Sequence, residues 1–202
     1  TWHKRHTPIA QEEENDDVIE IPEEFTDEQK EKISKLISDY MDENVDGKLS
    51  DIEAKLECGI SRVIIGTKAV SDADFVKEAV KRYGDKIVIG IDAKDGMVAI
   101  EGWEKTSEYR AVEFAKKMEE IGVKTIIYTD IATDGTLMGP NVDAMREMVN
   151  NTNMDIIASG GIGNIEHIKA LIPTGVEGVI TGRALYTGNI NLCDAIKAGK
   201  GA

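Results

Sequence analysis

Positive charge is scarce in this sequence: 24 lysines and arginines stand against 38 aspartates and glutamates, a formal net charge of −14. That balance excludes a nucleic-acid partner, because a phosphate backbone repels an acidic surface. Long apolar runs are missing as well. No stretch approaches the ~20 residues that cross a bilayer, and the opening Thr1-Trp-His-Lys-Arg-His6 has no apolar core of a secretory signal. Both absences argue against a membrane and for a cytoplasmic protein. Thr1 is not a methionine, so a processed, trimmed or fragmentary chain is expected. Cysteine is nearly absent: Cys58 and Cys193 share no C-x-x-C spacing and read as free thiols.

What charge there is lies unevenly. Residues 1–55 hold 7 Lys/Arg against 17 Asp/Glu, and the remainder 17 against 21. The N-terminal quarter therefore differs in kind. Residues 7–24 read as an extended or disordered acidic tail. Residues 26–41 read as an amphipathic helix, with Thr26 as N-cap, Gln29 in the capping-box position, and Ile33, Leu36, Ile37, Tyr40 and Met41 as the apolar stripe. The next twelve residues match a Ca²⁺-loop pattern. Oxygen ligands would come from Asp42, Asn44, Asp46, Lys48, Ser50 and Glu53, with Gly47 at the sharp turn. Such loops normally pair, and this one is single. The plain alternative is a helix–turn–helix whose Asp46-Gly47 makes the turn.

From Glu53 onward β-branched runs at 62–65, 87–91, 125–128, 155–158 and 178–181 alternate with helical stretches. Ala111, Phe114, Ala115, Met118 and Ile121 show the helical spacing in one of these. Alternation of this kind predicts right-handed βαβ units and a parallel sheet covered by helices. Five units are legible. A closed (βα)8 barrel needs eight, and five strands also suit an open doubly wound sheet, so periodicity alone leaves both open.

The chemistry gathers where these strands end. Tyr128-Thr-Asp-Ile-Ala-Thr-Asp134-Gly-Thr136 runs from an apolar strand into carboxylates, hydroxyls and a glycine turn. Strand ends of that kind present a general acid or base, with Asp134 and Thr129 as the candidates. The alternative is a turn at Asp134-Gly135 and a helix cap at Asp130. Ser159-Gly160-Gly161 and Gly182-Arg183 follow the next two strands, and Gly66-Thr67 follows the first. Backbone N–H groups at such turns hold phosphate, and arginine adds a charge-assisted bond. Tight turns without a ligand are the alternative there. Asp92 ends the second strand, where it suits an orienting role or equally a structural hydrogen bond, and Trp103 in the following loop suits stacking on a planar ring or equally packing the loop onto the rim. His3 and His6 could suggest metal binding but read as incidental in a mobile terminus, and His167 reads as a surface residue of the helix after the glycine pair. One acid beside two phosphate cradles predicts an enzyme acting on a phosphorylated small molecule.

Several stretches in order carry a resemblance. They are Ser61-Arg-Val-Ile-Ile-Gly-Thr67, Gly90-Ile-Asp-Ala93, Val98-Ala-Ile-Glu-Gly-Trp103, the run from Tyr128 to Pro140, Ala158-Ser-Gly-Gly-Ile162 and Thr181-Gly-Arg-Ala-Leu-Tyr186. From about Asp51 onward the chain resembles the ProFAR isomerases of histidine biosynthesis, and less closely their sister cyclases. The resemblance implies a TIM barrel, with the five strands as its fourth to eighth, hence a partial (βα)8 barrel over 51–202 behind an acidic, mostly helical or disordered segment over 1–50. It implies an Amadori rearrangement of a phosphoribosyl aminoaldose to an aminoketose, without metal or organic cofactor. Position by position, it makes Asp134 the general acid and Thr129 its assistant, and lays Trp103 over the substrate. Ser159, Gly160, Gly161, Gly182 and Arg183 would hold one phosphate, and Gly66 and Thr67 half of the site for the other.

The family's first-strand aspartate and its third-strand Gly-Gly-Gly-Ile-Arg run have no counterpart here. Val18-Ile-Glu-Ile21 is the nearest apolar run to a first strand, and it is short and acid-flanked. An open five-strand barrel leaves two sheet edges exposed and invites self-association. The isomerase reading therefore stands beside two others: a non-catalytic barrel fragment that binds a phosphosugar, and a Ca²⁺-responsive interaction protein built on residues 42–53.

Overall fold

The computed structural model describes residues 48–200 apart from Glu104. The acidic tail, the short run at 18–21, the helix expected over 26–41, and Asp42, Asn44 and Asp46 of the Ca²⁺-loop pattern lie outside the described residues. Tertiary contacts divide the chain after Ile60 into two compact units, 1–60 and 61–202. The extent of the resemblance puts a boundary at about residue 50.

In the first unit, helix α1 spans Leu49–Glu57. Asp51 closes its N-terminus: the carboxylate accepts the Lys48 N–H at 3.0 Å. Lys48, Ser50 and Glu53 therefore stand at the start of a regular helix. The Lys48 carbonyl, which the loop pattern would offer to a cation, accepts from the Asp51 amide at 3.1 Å.

The second unit runs β1 (Val63–Ile65), α2 (Thr67–Ser71), α3 (Ala73–Tyr83), β2 (Ile87–Lys94), β3 (Met97–Ile100), β4 (Lys105–Arg110), α4 (Ala111–Ile121) and β5 (Thr125–Asp130). It continues with α5 (Val142–Asn151), β6 (Asp155–Ser159), α6 (Ile165–Leu171), β7 (Gly178–Val179), α7 (Arg183–Tyr186) and α8 (Leu192–Gly199). The five expected strands all form. Caps explain the helix starts: Asp72 accepts from Phe75 N–H at 2.9 Å, Asn141 from Ala144 N–H at 3.1 Å and Asn164 from His167 N–H at 3.0 Å.

β1, β2, β5, β6 and β7 pair in parallel, each beside the strand before it. This order settles barrel against doubly wound sheet. A doubly wound sheet reverses direction at a switch point, whereas here every parallel strand is added on the same side. With right-handed crossovers, adding strands in one direction keeps all connecting helices on one face. Burial agrees. Ile87, Ile89, Ile91 and Ile126 are fully buried, as are Val76, Ala79, Ala115 and Met145 of the helices. The alternate face is only partly covered: Ile64 is 58 % exposed, Ile180 is 42 % exposed, and Ile127 and Ile157 are half-buried. In a closed barrel that face would be the interior.

One element was not anticipated. β3 and β4 form an antiparallel extension that shares an edge of β2 with β1. β1 pairs with residues 87–89 and β3 with 93–94, so the hairpin begins where β1 ends. Asp95 and Gly96 make the two-residue turn with φ of 52° and 75°, the left-handed pair that a tight hairpin requires.

Candidate active site

Three parallel strands run in register near their C-terminal ends. Asp92 of β2 stands beside Thr129 of β5, and Thr129 beside Ser159 of β6. In-register residues of neighbouring parallel strands point to the same side of the sheet, about 4.8 Å apart. A carboxylate and two hydroxyls therefore line up across the sheet on the face away from the helices. Thr129 is 8 % exposed, while Asp92 and Ser159 are half-buried.

Trp103 joins this row from the unanticipated extension. Its indole N–H donates to Asp92 Oδ2 at 2.7 Å. The chain reaches that point through a tight turn, Glu101–Trp103, in which Gly102 has φ 66° and Trp103 itself φ 75°. A left-handed backbone at a bulky residue costs on the order of 1–2 kcal/mol, so surrounding interactions must hold it there.

The acid-bearing loop follows β5 and is pinned at both ends by one residue. Asp130 is 7 % exposed. Its Oδ1 accepts the Ala132 N–H at 2.9 Å, and its Oδ2 accepts from Asn141 Nδ2 at 2.5 Å. Asn141 in turn caps α5, so strand end, loop and helix start form one hydrogen-bonded chain. Inside the loop, Asp134 N–H donates to the Asp130 carbonyl and Thr136 N–H to the Thr133 carbonyl, both at 3.1 Å. Asp134 is half-buried.

Gly160 and Gly161 lie against this loop. A Cβ on Gly160 would stand 2.9 Å from the Asp130 carbonyl oxygen and 3.5 Å from Asp134 Cα. One on Gly161 would collide with the Gly139 carbonyl. Both residues also have left-handed φ, 99° and 81°. The Gly139 N–H donates to the Gly161 carbonyl at 2.9 Å, joining the two loops backbone to backbone. The glycine pair thus has a packing reason for its identity, and that packing sets the acid turn beside the Ser159 end of the row.

Gly182 and Gly66 are different. Each is the N-cap residue of a short helix, α7 or α2, and each has open space where a Cβ would be. Arg183 extends from the first of these to the acid loop, where Nη1 donates to the Gly135 carbonyl at 2.6 Å. Gly66 lies one strand beyond Asp92, its Cα 3.9 Å from the position a Cβ on Gly90 would take. Gly66 and Thr67 are both exposed. Bonds or close approaches thus bring Asp92, Trp103, Thr129, Ser159, Gly160, Gly161, Asp134 and Arg183 into one group, with Gly66 and Thr67 toward its far end.

Sequence reading missed several residues that organise the group. Asn141 had a legible signal, a capping residue directly after Pro140. His167 had none. It is half-buried, its Nδ1 accepts from the Gly163 N–H at 3.1 Å, and its ring faces Gly139. Among the described residues no three His, Cys, Asp or Glu side chains gather into a metal-binding group, and no helix is long and apolar enough to cross a membrane.

A family model described as "Histidine biosynthesis protein" matches residues 24–191. Among curated relatives, a protein of Thermoanaerobacter pseudethanolicus named 1-(5-phosphoribosyl)-5-((5-phosphoribosylamino)methylideneamino) imidazole-4-carboxamide isomerase is 60% identical over 149 residues, covering 74% of this chain and 63% of its own. An identically named protein of Acetivibrio thermocellus matches with the same identity and coverage. One from Clostridium novyi is 50% identical over 154 residues, covering 75% of this chain and 65% of its own. This chain therefore spans about 63% of the length of the first two.

Proposed function

Since this chain belongs to the histidine biosynthesis protein family, we propose that it carries the general-acid side of an intramolecular aldose–ketose isomerase whose substrate is a phosphoribosyl aminoaldose. The single observation that supports this most is the in-register row of Asp92, Thr129 and Ser159 with the Asp134 turn packed on Gly160. A reacting sugar needs an acid, hydroxyl partners and an anion anchor at one place, and that row assembles those types.

The reaction is an internal shift of hydrogen with no net redox change. Asp134 donates a proton to the ribose ring oxygen as the C1′–O bond breaks, leaving an open-chain imine. A base then takes the proton from C2′, and the resulting enaminol tautomerises to the aminoketose as its 2′-hydroxyl proton is lost and C1′ is protonated. Thr129 steadies the acid end, and Asp92, oriented by the Trp103 indole, holds a substrate hydroxyl. Trp103 covers the ring system. Ser159, the Gly160 and Gly161 amides, Gly182 and Arg183 grip one phosphoryl group, and Gly66 and Thr67 contribute to the site for the other. Because the family's first-strand base has no counterpart in the sequence, turnover should be weaker by ~10²–10⁴-fold than with that base in place. Among the described residues β1 pairs only with β2 and β7 only with β6, and such open edges favour self-association of two copies edge to edge.

The experiment is a turnover assay with the aminoaldose, run on fractions of measured molecular mass from size exclusion. Turnover that Asp134→Asn abolishes supports the isomerase. Binding of the phosphosugar without turnover at any mass would leave a binding fragment, and neither binding nor turnover would sink the reading.

A further inference from the structure

Arg183 is exposed, yet its guanidinium reaches 48 residues back in the chain to bond the Gly135 carbonyl at 2.6 Å. Gly135 directly follows Asp134 and takes a left-handed φ of 69° in the middle of the acid turn. The bond therefore crosses from the end of β7, over β6, to the loop after β5. Inside the turn, the Asp134 and Thr136 amides are held by carbonyls of the same loop. The Gly139–Gly161 bond anchors the far end. Arg183 supplies a tether to the apex itself.

A guanidinium has five N–H donors in a planar fork. With Nη1 on the Gly135 carbonyl, the remaining arm stays available for an anion, for which charge-assisted bonds are the stronger kind. We propose that Arg183 is a positioning residue that bridges the acid turn and the phosphoryl group, so that arrival of the anion stiffens the turn carrying Asp134. The anion half of this bridge rests on the phosphate reading above. The tether to Gly135 does not.

The test uses amide hydrogen exchange on the full chain, without turnover. In Arg183→Met, exchange at Asp134 and Thr136 rises roughly fivefold, the factor one net hydrogen bond contributes, while Gly139 and the melting temperature stay unchanged. Arg183→Lys, which keeps a donor and the charge, recovers most of the protection. Inorganic phosphate, titrated as the probe, slows exchange at the same two amides in the wild-type chain and leaves Arg183→Met unaffected. Equal protection in wild type and Arg183→Met overturns the tether. A phosphate effect that persists in Arg183→Met, or one that speeds exchange in the wild type, overturns the bridge. Phosphate that changes nothing at the turn overturns the bridge together with the phosphate reading, while the Met comparison still decides the tether by itself.

Discussion

The indole of Trp103 and the carboxylate of Asp92 are joined by a 2.7 Å hydrogen bond across eleven residues. That bond ties the strained turn at Trp103 to the C-terminal part of β2, on the face away from the helices. A donor to a carboxylate in a half-buried setting contributes about 1–2 kcal/mol. Trp103→Phe keeps the ring and removes the donor, so it should lower unfolding stability by that amount. A double-mutant cycle with Asp92→Ala, which removes the acceptor, isolates the pair from the other interactions each residue makes. A coupling energy near zero would show that the bond holds nothing.

The backbone of the turn that carries Asp134 is held by hydrogen bonds to the Asp130 and Thr133 carbonyls and packs against Gly160. Asp134→Asn should therefore leave the melting temperature within about 2 °C, as expected away from core, cap and strain positions. Turnover of the aminoaldose should fall ~10²–10⁴-fold. Full activity in the asparagine variant would remove the acid from Asp134.

Gly161 has no room for a side chain, because the Gly139 carbonyl occupies the place of a Cβ. Gly161→Ala adds overpacking to a left-handed φ of 81°, a combined cost of roughly 2–4 kcal/mol. Gly182→Ala meets open space and should unfold near the wild-type midpoint. Comparing the two denaturation midpoints checks the assignment, and equal midpoints would contradict it.

Tyr128 lies on the helix-covered face and is 3 % exposed. Burial first, then the charges of Asp130 and Glu147, push its phenol up to about 12 from an ordinary 10.0. The folded state therefore keeps this proton at pH values where the unfolded chain loses it. Stability from this group is intact below pH 10 and falls as pH rises toward 12, by on the order of 2 kcal/mol in all. Chemical denaturation between pH 9 and 12 should show the fall, and Tyr128→Phe should flatten that part of the profile. An unchanged slope in the phenylalanine variant would assign the loss to other groups.

Much of the fold was legible along the chain, because strand and helix are short-range patterns. The β-branched runs at 62–65, 87–91, 125–128, 155–158 and 178–181 correspond to the five parallel strands. The β3–β4 extension was missed although its signal was present: Asp95-Gly96 is a hairpin dipeptide between two apolar runs, but β3 has only four residues and β4, Lys105–Arg110, is too polar to stand out as a strand. The glycine pair was read as an anion cradle or a tight turn, and its packing against the Asp130–Gly139 loop was not, because close approach of a second loop leaves no mark in local sequence.

By itself, then, the sequence determined the alternation of strand and helix, the Asp134-Gly135 turn after β5 and the family to which the chain belongs. Each depends on residues near one another or on ordered motifs. Tertiary structure alone decided that strands add in one direction, that Asp92, Thr129 and Ser159 share a row, and that Arg183 reaches Gly135. Strand register and side-chain reach are long-range relations, set by which strand lies beside which, and no local periodicity encodes them.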